Sequence, residues 1–479
     1  MNSIYPSWLS KQMLSGIRGF NVCAYLVALE GWRRGLELKW YYNPNLLSDI
    51  KGVGYNPTGK FFSLSNGKKT HFFFRSRGDK VSNEAINIAS DKELTKKYLI
   101  KANVPVSEGT FFDVNDDVQS ILDKARDVTY PLVIKPALGS LGKGVITNIR
   151  TEEELKHSIT YVNSEFPYDK YIIERFITGD DYRIYVMGDK VLGAFKRIAA
   201  NVVGDGKRTI SELIKQKNEE RNLNPYLSAK PIKINRNLLE YIGREGKSLE
   251  DIPDENEVVF LQGLSNITSG GDSIDVTKKL PDNIKKVAIN TIKAIPSLIH
   301  AGIDVIINEE EITIIEVNAT AGITSHHFPM FGDPQNIPAG IIDYYFPDTK
   351  GVEKADDNIY YDQKKVLDLL EGKIVENIEI PKAPLGDLFA KRYVVVGNVQ
   401  GVNFRKWIRK KALDNNLNGY TRNLTNGNVV VVVAGIDKEK VEAFKEICME
   451  GPSRAQVRLV KEFVWDKQIK AGFEIRKSK

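Results

Sequence analysis

Cysteine is scarce in this chain of 479 residues, and its two cysteines, Cys23 and Cys448, lie far apart in the sequence. A disulfide framework is therefore not expected, and a reducing compartment such as the cytoplasm fits. No run approaches the ~18 consecutive apolar residues that a membrane-spanning helix needs, and the N-terminus lacks the pattern of a secretory leader. We therefore expect a cytoplasmic protein without a membrane partner.

Signals for nucleic-acid binding are also missing, because aromatic residues are not interleaved with Lys and Arg and no zinc-type cysteine spacing occurs. Residues 390–479 carry 19 Lys and Arg against 9 Asp and Glu, a balance of +10, whereas the whole chain is +6. The first 389 residues therefore carry −4. A basic end module suits a small anionic ligand, and a merely solvated cationic surface is the alternative that charge alone does not separate.

The length of the chain predicts about three compact units at ~150 residues each. We expect an N-terminal α/β domain over residues 1–87, with a helix at 21–35 and a strand at 36–41, and a second domain over residues 88–346. Residues 347–389, which contain Pro381 and Pro384, are predicted to be a linker with one helix over Gln363–Glu371. The last domain covers residues 390–479.

The second domain alternates strands and helices, with strands predicted at 131–135, 171–174, 182–187, 191–199, 303–307 and 312–316. The first of these strands carries Lys135 and runs into a glycine-rich loop. Its backbone N–H groups can cover phosphate oxygens. The loop is not a P-loop, because no Lys-Ser or Lys-Thr follows in register, and a plain hairpin turn is the alternative. The residues predicted to form this flap are Gly139, Ser140, Gly142 and Gly144.

Two further groups of residues follow the flap. The run Glu174-Arg175-Phe176-Ile177 ends a strand and precedes acidic residues that include Asp181. A hinge of this kind can hydrogen-bond an adenine edge through its backbone, while a carboxylate takes the ribose hydroxyls. Asp304, Glu316 and Asn318 stand near the ends of two neighbouring strands, and such oxygen ligands suit Mg²⁺ rather than zinc. For each acidic residue taken alone, a turn or cap is the alternative.

In this order the motifs of residues 88–346 resemble the ATP-grasp superfamily, and more closely the ligase domains of cyanophycin synthetase and of bifunctional glutamate-cysteine ligase/glutathione synthetase. The resemblance rests on Asp91-Lys92 with Thr95-Lys96, the Lys135 strand with its flap, residues 202–213, and residues 266–271 with 275–277. It implies ATP and Mg²⁺ as cofactors, with Mn²⁺ as an alternative metal ion. By resemblance, Lys92 and Lys135 contact the nucleotide phosphates, residues 174–177 contact the adenine, and Asp181 contacts the ribose. The resemblance also implies that Mg²⁺ is bound by Asp304, Glu316 and Asn318. The acyl phosphate would be faced by Arg183, Arg197 and Asn266.

A few positions carry competing expectations. Ala321 replaces the proline that usually precedes the glycine after the metal-binding asparagine, which is expected to loosen that turn. His326 and His327 could bind a carboxylate or act as a base, but adjacent histidines on a loop are more often solvated or capping. Arg75 and Arg77 could anchor a substrate carboxylate, with surface charge as the favoured alternative.

The last 90 residues resemble acylphosphatase, a small ferredoxin-like α+β domain. The resemblance is carried by Val399-Gln400-Gly401-Val402 with Phe404 and Arg405, and by Gly419 to Asn423. It implies that Arg405 binds the phosphate of an acyl phosphate and that Asn423 orients the attacking water. Asn398 stands where a basic residue is common, which is expected to soften phosphate affinity, and an inert docking domain is the alternative.

Together these resemblances predict an α/β and α+β protein: a pre-ATP-grasp domain, an ATP-grasp fold and a ferredoxin-like domain. The expected activity is that of an ATP-dependent carboxylate–amine ligase with a fused acylphosphatase, acting on small-molecule acids and amines such as amino acids or peptides. The alternatives are an acylphosphatase-controlled ATP-hydrolysing enzyme and a nucleotide-binding scaffold with degenerate catalysis. The sequence leaves the substrates and the oligomeric state open, with a homodimer as one option.

Overall fold

The computed structural model describes residues 5–42, 50–52, 57–138 and 143–478 of the chain. Two compact units are present: the first comprises residues 1–48, 52–75 and 341–479, and the second comprises residues 49–51 and 76–340. The second unit is thus inserted, in sequence, into the first. In the described ranges no helix combines the length and apolarity that crossing a membrane requires. Cys23 and Cys448 are both buried free thiols.

The helices and strands are numbered along the chain. The α-helices are α1 (Phe20–Arg33), α2 (Asn83–Ser90), α3 (Lys92–Lys101), α4 (Val118–Ala125), α5 (Glu152–Glu165), α6 (Ile210–Leu223), α7 (Arg236–Arg244), α8 (Asp282–Lys293), α9 (Thr324–His327), α10 (Ile337–Tyr345), α11 (Gln363–Glu371), α12 (Phe404–Asp414) and α13 (Lys438–Glu450). The strands are β1 (Glu37–Tyr41), β2 (Phe61–Ser65), β3 (Thr70–Phe74), β4 (Arg77–Gly78), β5 (Gly109–Asp113), β6 (Leu132–Pro136), β7 (Ile146–Ile149), β8 (Lys170–Arg175), β9 (Asp180–Met187), β10 (Lys190–Ile198), β11 (Asn201–Val203), β12 (Val258–Phe260), β13 (Asp272–Asp275), β14 (His300–Ile307), β15 (Ile312–Asn318), β16 (Ile359–Tyr360), β17 (Asn377–Ile380), β18 (Phe389–Asn398), β19 (Asn418–Asn423), β20 (Val429–Gly435), β21 (Gln456–Val464), β22 (Ile469–Lys470) and β23 (Phe473–Ile475).

The first unit begins with an antiparallel sheet in the strand order β17-β1-β2-β3, with α1 packed against it. Nearly the whole of α1 is buried. Gly31 permits this close packing, because a Cβ at that position would lie 2.4 Å from a methyl carbon of Leu64 on β2. The predicted helix at 21–35 and strand at 36–41 therefore correspond to α1 and β1 within two residues at each end.

The segment expected to be a linker, residues 347–389, differs from that expectation. It contains the predicted helix α11 over Gln363–Glu371, and its strand β17 pairs antiparallel with β1, with Leu38 opposite Ile380. The edge of the N-terminal sheet is thus supplied by residues more than 300 positions later in the chain. Sequence pattern alone did not show this pairing, because a short four-residue strand with one buried position carries almost no periodic signal.

A stretch of the same segment, residues 354–362, is named the strap here because its main-chain groups accept hydrogen bonds from two sides. On one side the buried Arg33 donates to the carbonyl oxygens of Ile359, at 3.1 Å, and of Asp357. On the other side β16 pairs in parallel with β22, and the N–H of Ile469 donates to the carbonyl of Asn358 at 2.8 Å. The strap therefore joins α1 to the C-terminal part of the first unit.

The C-terminal part of the first unit is a five-stranded sheet in the order β21-β18-β20-β19-β23. Helices α12 and α13 pack on one face over a core that includes Phe404, Phe444 and Cys448. The opposite face is also buried, because Val430, Val432 and Ala434 on β20 pack with Ile469 of β22. This alternation of strands and helices is the ferredoxin-like arrangement expected from the sequence.

The second unit contains a four-stranded sheet, β5-β8-β6-β7, and a five-stranded sheet, β13-β10-β9-β14-β15. Helices α4 and α5 pack on the first sheet, and α2, α3 and α8 contribute to the core of the second. A smaller cluster forms around β11, β12, α6 and α7. A bridge between Val106 and Ile314 links the segment before β5 to β15. Side chains from both sheets therefore meet near the start of α3.

Candidate functional site

Basic side chains gather around one buried carboxylate in the second unit. Asp91 caps α3 by accepting hydrogen bonds from the N–H groups of Glu93, at 2.8 Å, and Leu94, at 3.1 Å, which places Lys92 in the first helical turn. Lys96 lies one turn later, and its Nζ is 2.8 Å from Oε1 of Glu174 on β8. Lys135 on β6 pairs with the other oxygen, Oε2. These residues line a pocket together with Glu316 of β15.

The charges of this pocket are strongly coupled. Burial alone would raise the pKa of the Glu174 carboxyl, but Lys135 and Lys96 together hold that pKa below its ordinary value. Burial lowers the pKa of the Lys96 amine, and the attraction of Glu174 opposes that shift. Burial likewise lowers the pKa of Lys92, with Glu316 and Glu174 acting in the opposite direction. Additional negative charge in the pocket would favour the protonated lysines.

The predicted hinge lies directly after Glu174. The N–H of Arg175 donates to the carbonyl of Glu108 at 3.0 Å, and that of Phe176 donates to the carbonyl of Pro131 at 2.7 Å. The Arg175 carbonyl accepts from Ser107 Oγ at 2.7 Å, and its side chain pairs with Glu311. An adenine edge at this hinge must therefore use other backbone groups of the segment. Ile177 is buried beside them.

A row of charged side chains lies on one face of the five-stranded sheet. Arg183 on β9 stands opposite Asp304 on β14 and donates to its Oδ2 at 3.0 Å. Arg197 on β10 pairs with Asp181 at 2.7 Å and with Asp304 at 3.1 Å. Both arginines expected near an acyl phosphate are thus held by carboxylates.

The environment of this row shifts the pKa values of its members. Burial raises the pKa of Asp181 to about 6, with Asp304 adding to that shift and Arg197 opposing it. Burial disfavours the charged form of Arg197, but Asp304 and Asp181 outweigh it and raise the pKa of the guanidinium. Arg197 consequently remains protonated at every pH at which the protein is folded.

The three predicted metal ligands come together on β14 and β15. Asp304 lies directly opposite Glu316 in the antiparallel register, and Asn318 follows two residues later on the same face. Asp304 is buried, and the Nδ2 atom of Asn318 is buried without a hydrogen-bond partner in the described structure. Two carboxylates and an amide oxygen are donors that Mg²⁺ accepts, with phosphate and water oxygens to complete an octahedron. The residues present therefore fit the ion.

The side chain of Asn266 forms local hydrogen bonds. Its Oδ1 accepts hydrogen bonds from the N–H of Thr268, at 2.9 Å, and from the Thr268 hydroxyl, at 2.6 Å, at the start of a 3₁₀ turn. In the part of the chain that is described, no hydrogen bond joins it to Arg183 or Arg197. Asn266 instead lines a separate polar pocket with Lys233, Tyr241 and Gln262.

The histidine pair behaves differently from the solvated loop that was expected. His326 and His327 lie in the short helix α9, and both side chains are buried. Burial lowers the pKa of His326 to about 3 and that of His327 to about 4, so both rings are neutral at pH 7. Gly193 makes room for the His326 ring, because a Cβ there would lie 2.9 Å from Nδ1. A general-base role at neutral pH is not supported by this placement.

Arg75 and Arg77 also depart from the surface-charge expectation, since both are buried. The Arg75 guanidinium lies 3.4 Å from the ring centre of Phe20, and Arg77 donates to the carbonyl of Lys51.

The turn at Ala321 is held in place, because its carbonyl accepts from Ser76 Oγ at 2.8 Å. Of the predicted flap, Gly144 is described and has φ +71°, whereas Gly139, Ser140 and Gly142 lie outside the described residues.

The C-terminal candidate site surrounds the start of α12. Arg405 is the second residue of the helix, so the N–H groups of the first turn point toward the same loop. Gln400 fixes that loop by donating to the carbonyls of Leu424, at 2.8 Å, and Asn428, at 2.9 Å. Gly397 is required beside it, because its φ is +145° and a Cβ would lie 2.1 Å from the Gln456 carbonyl oxygen. Asn423 ends β19, and its Oδ1 is buried without a partner in the described structure.

Sequence reasoning missed one member of the pocket around Glu174, namely Lys96. The residue was part of a recognised motif, but no role was expected for it. Its ion pair with Glu174 depends on the placement of α3 against β8, which join residues 78 positions apart. A buried position inside a polar helical segment was the only local signal.

Comparison with known proteins assigns these regions to families. Residues 89–223 match the RimK-like ATP-grasp domain, residues 226–322 match the ATP-grasp domain, and residues 391–475 match acylphosphatase. Cyanophycin synthetase of Synechocystis sp. is 33% identical over 272 residues, covering 55% of this chain and 31% of the relative. The bifunctional glutathione biosynthesis protein GshAB of Clostridium perfringens is 31% identical over 359 residues, covering 71% of this chain and 44% of the relative.

Among solved structures, a bifunctional glutathione synthetase from Pasteurella multocida is 25% identical, covers 60% of this chain and 41% of its own, and has a TM-score of 0.48. The chain spans less than half the length of each of these three relatives. The family matches confirm the resemblances and the fold class expected from the sequence. The chain carries ATP-grasp and acylphosphatase domains, and ATP and Mg²⁺ are the cofactors of the former.

Proposed function

We propose that this chain, which joins ATP-grasp and acylphosphatase domains, is an ATP-dependent ligase that forms an amide bond between a carboxylate and an amine. The reaction proceeds through an acyl phosphate and releases ADP and phosphate. The fused domain hydrolyses acyl phosphates. Amino acids or short peptides are the proposed substrates, because the similar proteins are named for cyanophycin and glutathione synthesis.

The arrangement of charge on the five-stranded sheet is the observation that supports this proposal most strongly. Two arginines and three oxygen donors share one face, as the register of β9, β14 and β15 shows. Phosphoryl transfer needs little covalent help from a protein, and its barrier falls mainly through positioning and charge neutralisation. A site of this composition is suited to hold phosphate, metal ion and carboxylate together.

The proposed roles follow from these positions. Lys92 and Lys135 bind nucleotide phosphates, the segment from Glu174 to Ile177 binds adenine, and Asp181 binds ribose. Asp304, Glu316 and Asn318 would hold Mg²⁺, which neutralises phosphate charge. Arg183 and Arg197 orient the substrate carboxylate, whose oxygen attacks the γ-phosphorus while ADP leaves. The amine then attacks the acyl carbon, phosphate leaves, and the nitrogen loses a proton. Asn266 also faces the acyl phosphate in this proposal, and the flap residues Gly139, Ser140, Gly142 and Gly144 offer backbone N–H groups to phosphate oxygens.

The acylphosphatase domain is proposed to remove acyl phosphates that fail to meet an amine. Arg405 and the N–H groups at the start of α12 bind the phosphate, and Asn423 orients a water that attacks phosphorus. The P–O bond to the acyl group breaks, and the carboxylate leaves. The buried, unpartnered Oδ1 of Asn423 supports its role, because a buried acceptor without a partner is costly unless a ligand satisfies it.

The domain boundaries predicted from the sequence remain part of this proposal. The predicted borders at 87/88 and 346/347 lie close to the breaks between units at 75/76 and 340/341. A cytoplasmic location remains the proposal that fits the two free thiols.

The test is a product screen with ATP, Mg²⁺ and pooled amino acids and small carboxylic acids, followed by mass spectrometry. We expect a condensed product together with ADP from the wild type, and none from Asp304→Asn. The Arg405→Ala variant is expected to retain ligation and to release more free acyl phosphate. ADP formation without any condensed product would favour an ATP-hydrolysing cycle, and nucleotide binding without turnover would favour a scaffold.

A further inference from the structure

The Glu174 carboxylate of the second unit is shared between two lysines that have different positions. Lys96 Nζ lies 2.8 Å from Oε1, and Lys135 pairs with Oε2. Glu174 is 7% exposed and Lys96 is 8% exposed, so this ion triad is largely withdrawn from water. Gly109 on the neighbouring strand leaves room for it, since a Cβ there would lie 2.7 Å from Cγ of Glu174.

The two lysines are not equivalent with respect to the nucleotide. Lys135 is the residue proposed to bind phosphate, yet in the structure without nucleotide its amine is occupied by Glu174. A phosphate and a carboxylate repel each other. The Lys135 amine therefore interacts most favourably with a nucleotide phosphate after it has moved away from Glu174. Nucleotide binding would then remove one of the two cations that neutralise Glu174.

The surroundings make an unpaired carboxylate costly at this point. Apolar side chains from Leu99, Val106, Ile314 and Val317 line the same pocket. The other charged groups facing it are Lys92, Glu316 and, at longer range, Glu108. A buried charge that loses its partner in such surroundings destabilises the state in which it occurs.

We propose that Lys96 is a positioning residue, which keeps Glu174 neutralised and oriented when ATP draws Lys135 to its phosphates. The inference rests on the proposed function only in requiring that ATP binds in this pocket. Lys96 acts through Glu174 and touches neither the phosphates nor the reacting atoms. Its contribution is therefore specific to the state in which a nucleotide phosphate occupies Lys135.

This exchange of partners predicts different effects on ATP and on adenosine. Adenosine has no phosphate, so Lys135 remains on Glu174 when adenosine binds. In Lys96→Met the carboxylate then keeps one cation with adenosine but loses both with ATP. The variant still retains the Lys135–Glu174 pair without ligand, which allows the full-length chain to fold.

A matched control is provided by the next residue of α3. Lys97 is an exposed lysine whose Nζ lies 2.9 Å from Glu93, so Lys97→Met removes the same charge from the same helix without touching the triad. The double variant Lys96→Met/Glu174→Gln removes the cation together with the charge that it neutralises. Any penalty that arises from an unpaired carboxylate disappears in that double variant.

The experiment is isothermal titration calorimetry of full-length variants with ATP and Mg²⁺, and separately with adenosine. We expect Lys96→Met to raise the Kd for ATP at least about tenfold and the Kd for adenosine less than about threefold, with Lys97→Met unchanged for both. Relative to Glu174→Gln alone, adding Lys96→Met should cost little ATP affinity. Equal losses for ATP and adenosine, or an undiminished loss in the double variant, would overturn the inference. Failure of the wild type to bind ATP would instead overturn the proposed function.

Discussion

In the second unit, Lys135, Arg183 and Arg197 each pair with a carboxylate, whereas Arg405 in the first unit forms no ion pair within the described ranges. A site for a metal-bound nucleotide contains carboxylates for the metal ion and cations for the phosphates, and these neutralise each other when the ligands are absent. A site for one small phosphate needs only a cation and backbone N–H groups. Under the proposed function, ATP binding involves exchange of ion-pair partners, while acyl-phosphate binding does not.

The largest test of this comparison is Arg405→Ala. We expect hydrolysis of benzoyl phosphate to fall about 10³-fold, because the main cation for the phosphate is lost. The free energy of unfolding should change by less than about 0.5 kcal/mol, because removing the Arg405 side chain leaves no carboxylate unpaired. Steady-state kinetics and urea unfolding measure the two quantities, with the exposed neighbour Lys406→Ala as the control. Full activity in Arg405→Ala would remove this residue from the site.

The opposite behaviour is expected for Glu174→Gln, which leaves Lys96 and Lys135 without a counter-charge in a buried place. We expect a loss of about 3 kcal/mol in the free energy of unfolding. The control is Glu93→Gln, because Glu93 also pairs with two lysines, Lys97 and Lys170, but at the surface. Its loss should be under about 1 kcal/mol. Equal losses in urea unfolding experiments would show that burial does not distinguish the two carboxylates.

A third test uses pH, since the second unit also buries neutral histidines. Burial, with Arg183 and His327 adding to it, lowers the pKa of His326 from an ordinary 6.5 to about 3. Below pH 6.5 the unfolded chain therefore binds a proton at His326 that the folded chain does not bind. The free energy of unfolding consequently decreases as the pH falls toward 3. Between pH 7 and pH 4, we expect the free energy of unfolding of His326→Phe to decrease by about 2–3 kcal/mol less than that of the wild type.

Urea unfolding at a series of pH values measures this difference. The matched control is His157→Phe on the exposed face of α5, which should leave the pH dependence as in the wild type. An unchanged slope in His326→Phe would mean that the His326 ring is protonated in the folded protein.

The smallest expected effect concerns the open site. Asn398 is exposed at the end of β18, before the loop that leads to Arg405, and the resemblance to acylphosphatase places a basic residue at this position. Asn398→Lys should lower the KM for benzoyl phosphate by about threefold at low salt, and the gain should shrink as salt is added. ATP turnover should remain at the wild-type rate. A KM that is insensitive to this change would indicate that the Asn398 position lies too far from the bound phosphate.

The elements with local signals were predictable from the sequence. The helix predicted over Gln363–Glu371 is α11 with the same bounds, and the strand predicted at 131–135 corresponds to β6 within one residue. The grouping of Asp304, Glu316 and Asn318 also followed, because neighbouring antiparallel strands bring such positions together. Their roles as ligands remain a prediction.

Features that depend on distant contacts were not predictable. The burial of His326 and His327 requires the packing of α9 against β10, which no local pattern encodes. The pairing of Lys96 with Glu174 and of β17 with β1 likewise joins segments that are far apart in the chain. Sequence patterns report how an element is built, but not which distant element will cover it.

The pairing of β1 with β17 has a consequence for synthesis of the protein. Translation proceeds from the N-terminus, so α1 and β1 leave the ribosome about 340 residues before the strand that completes their sheet. At ordinary elongation speeds of roughly 5–20 residues per second, that interval lasts roughly 15–70 s. The whole of the second unit emerges during this time. The nascent chain must therefore keep one strand edge of its first sheet open, and exposed to other chains, until β17 has emerged.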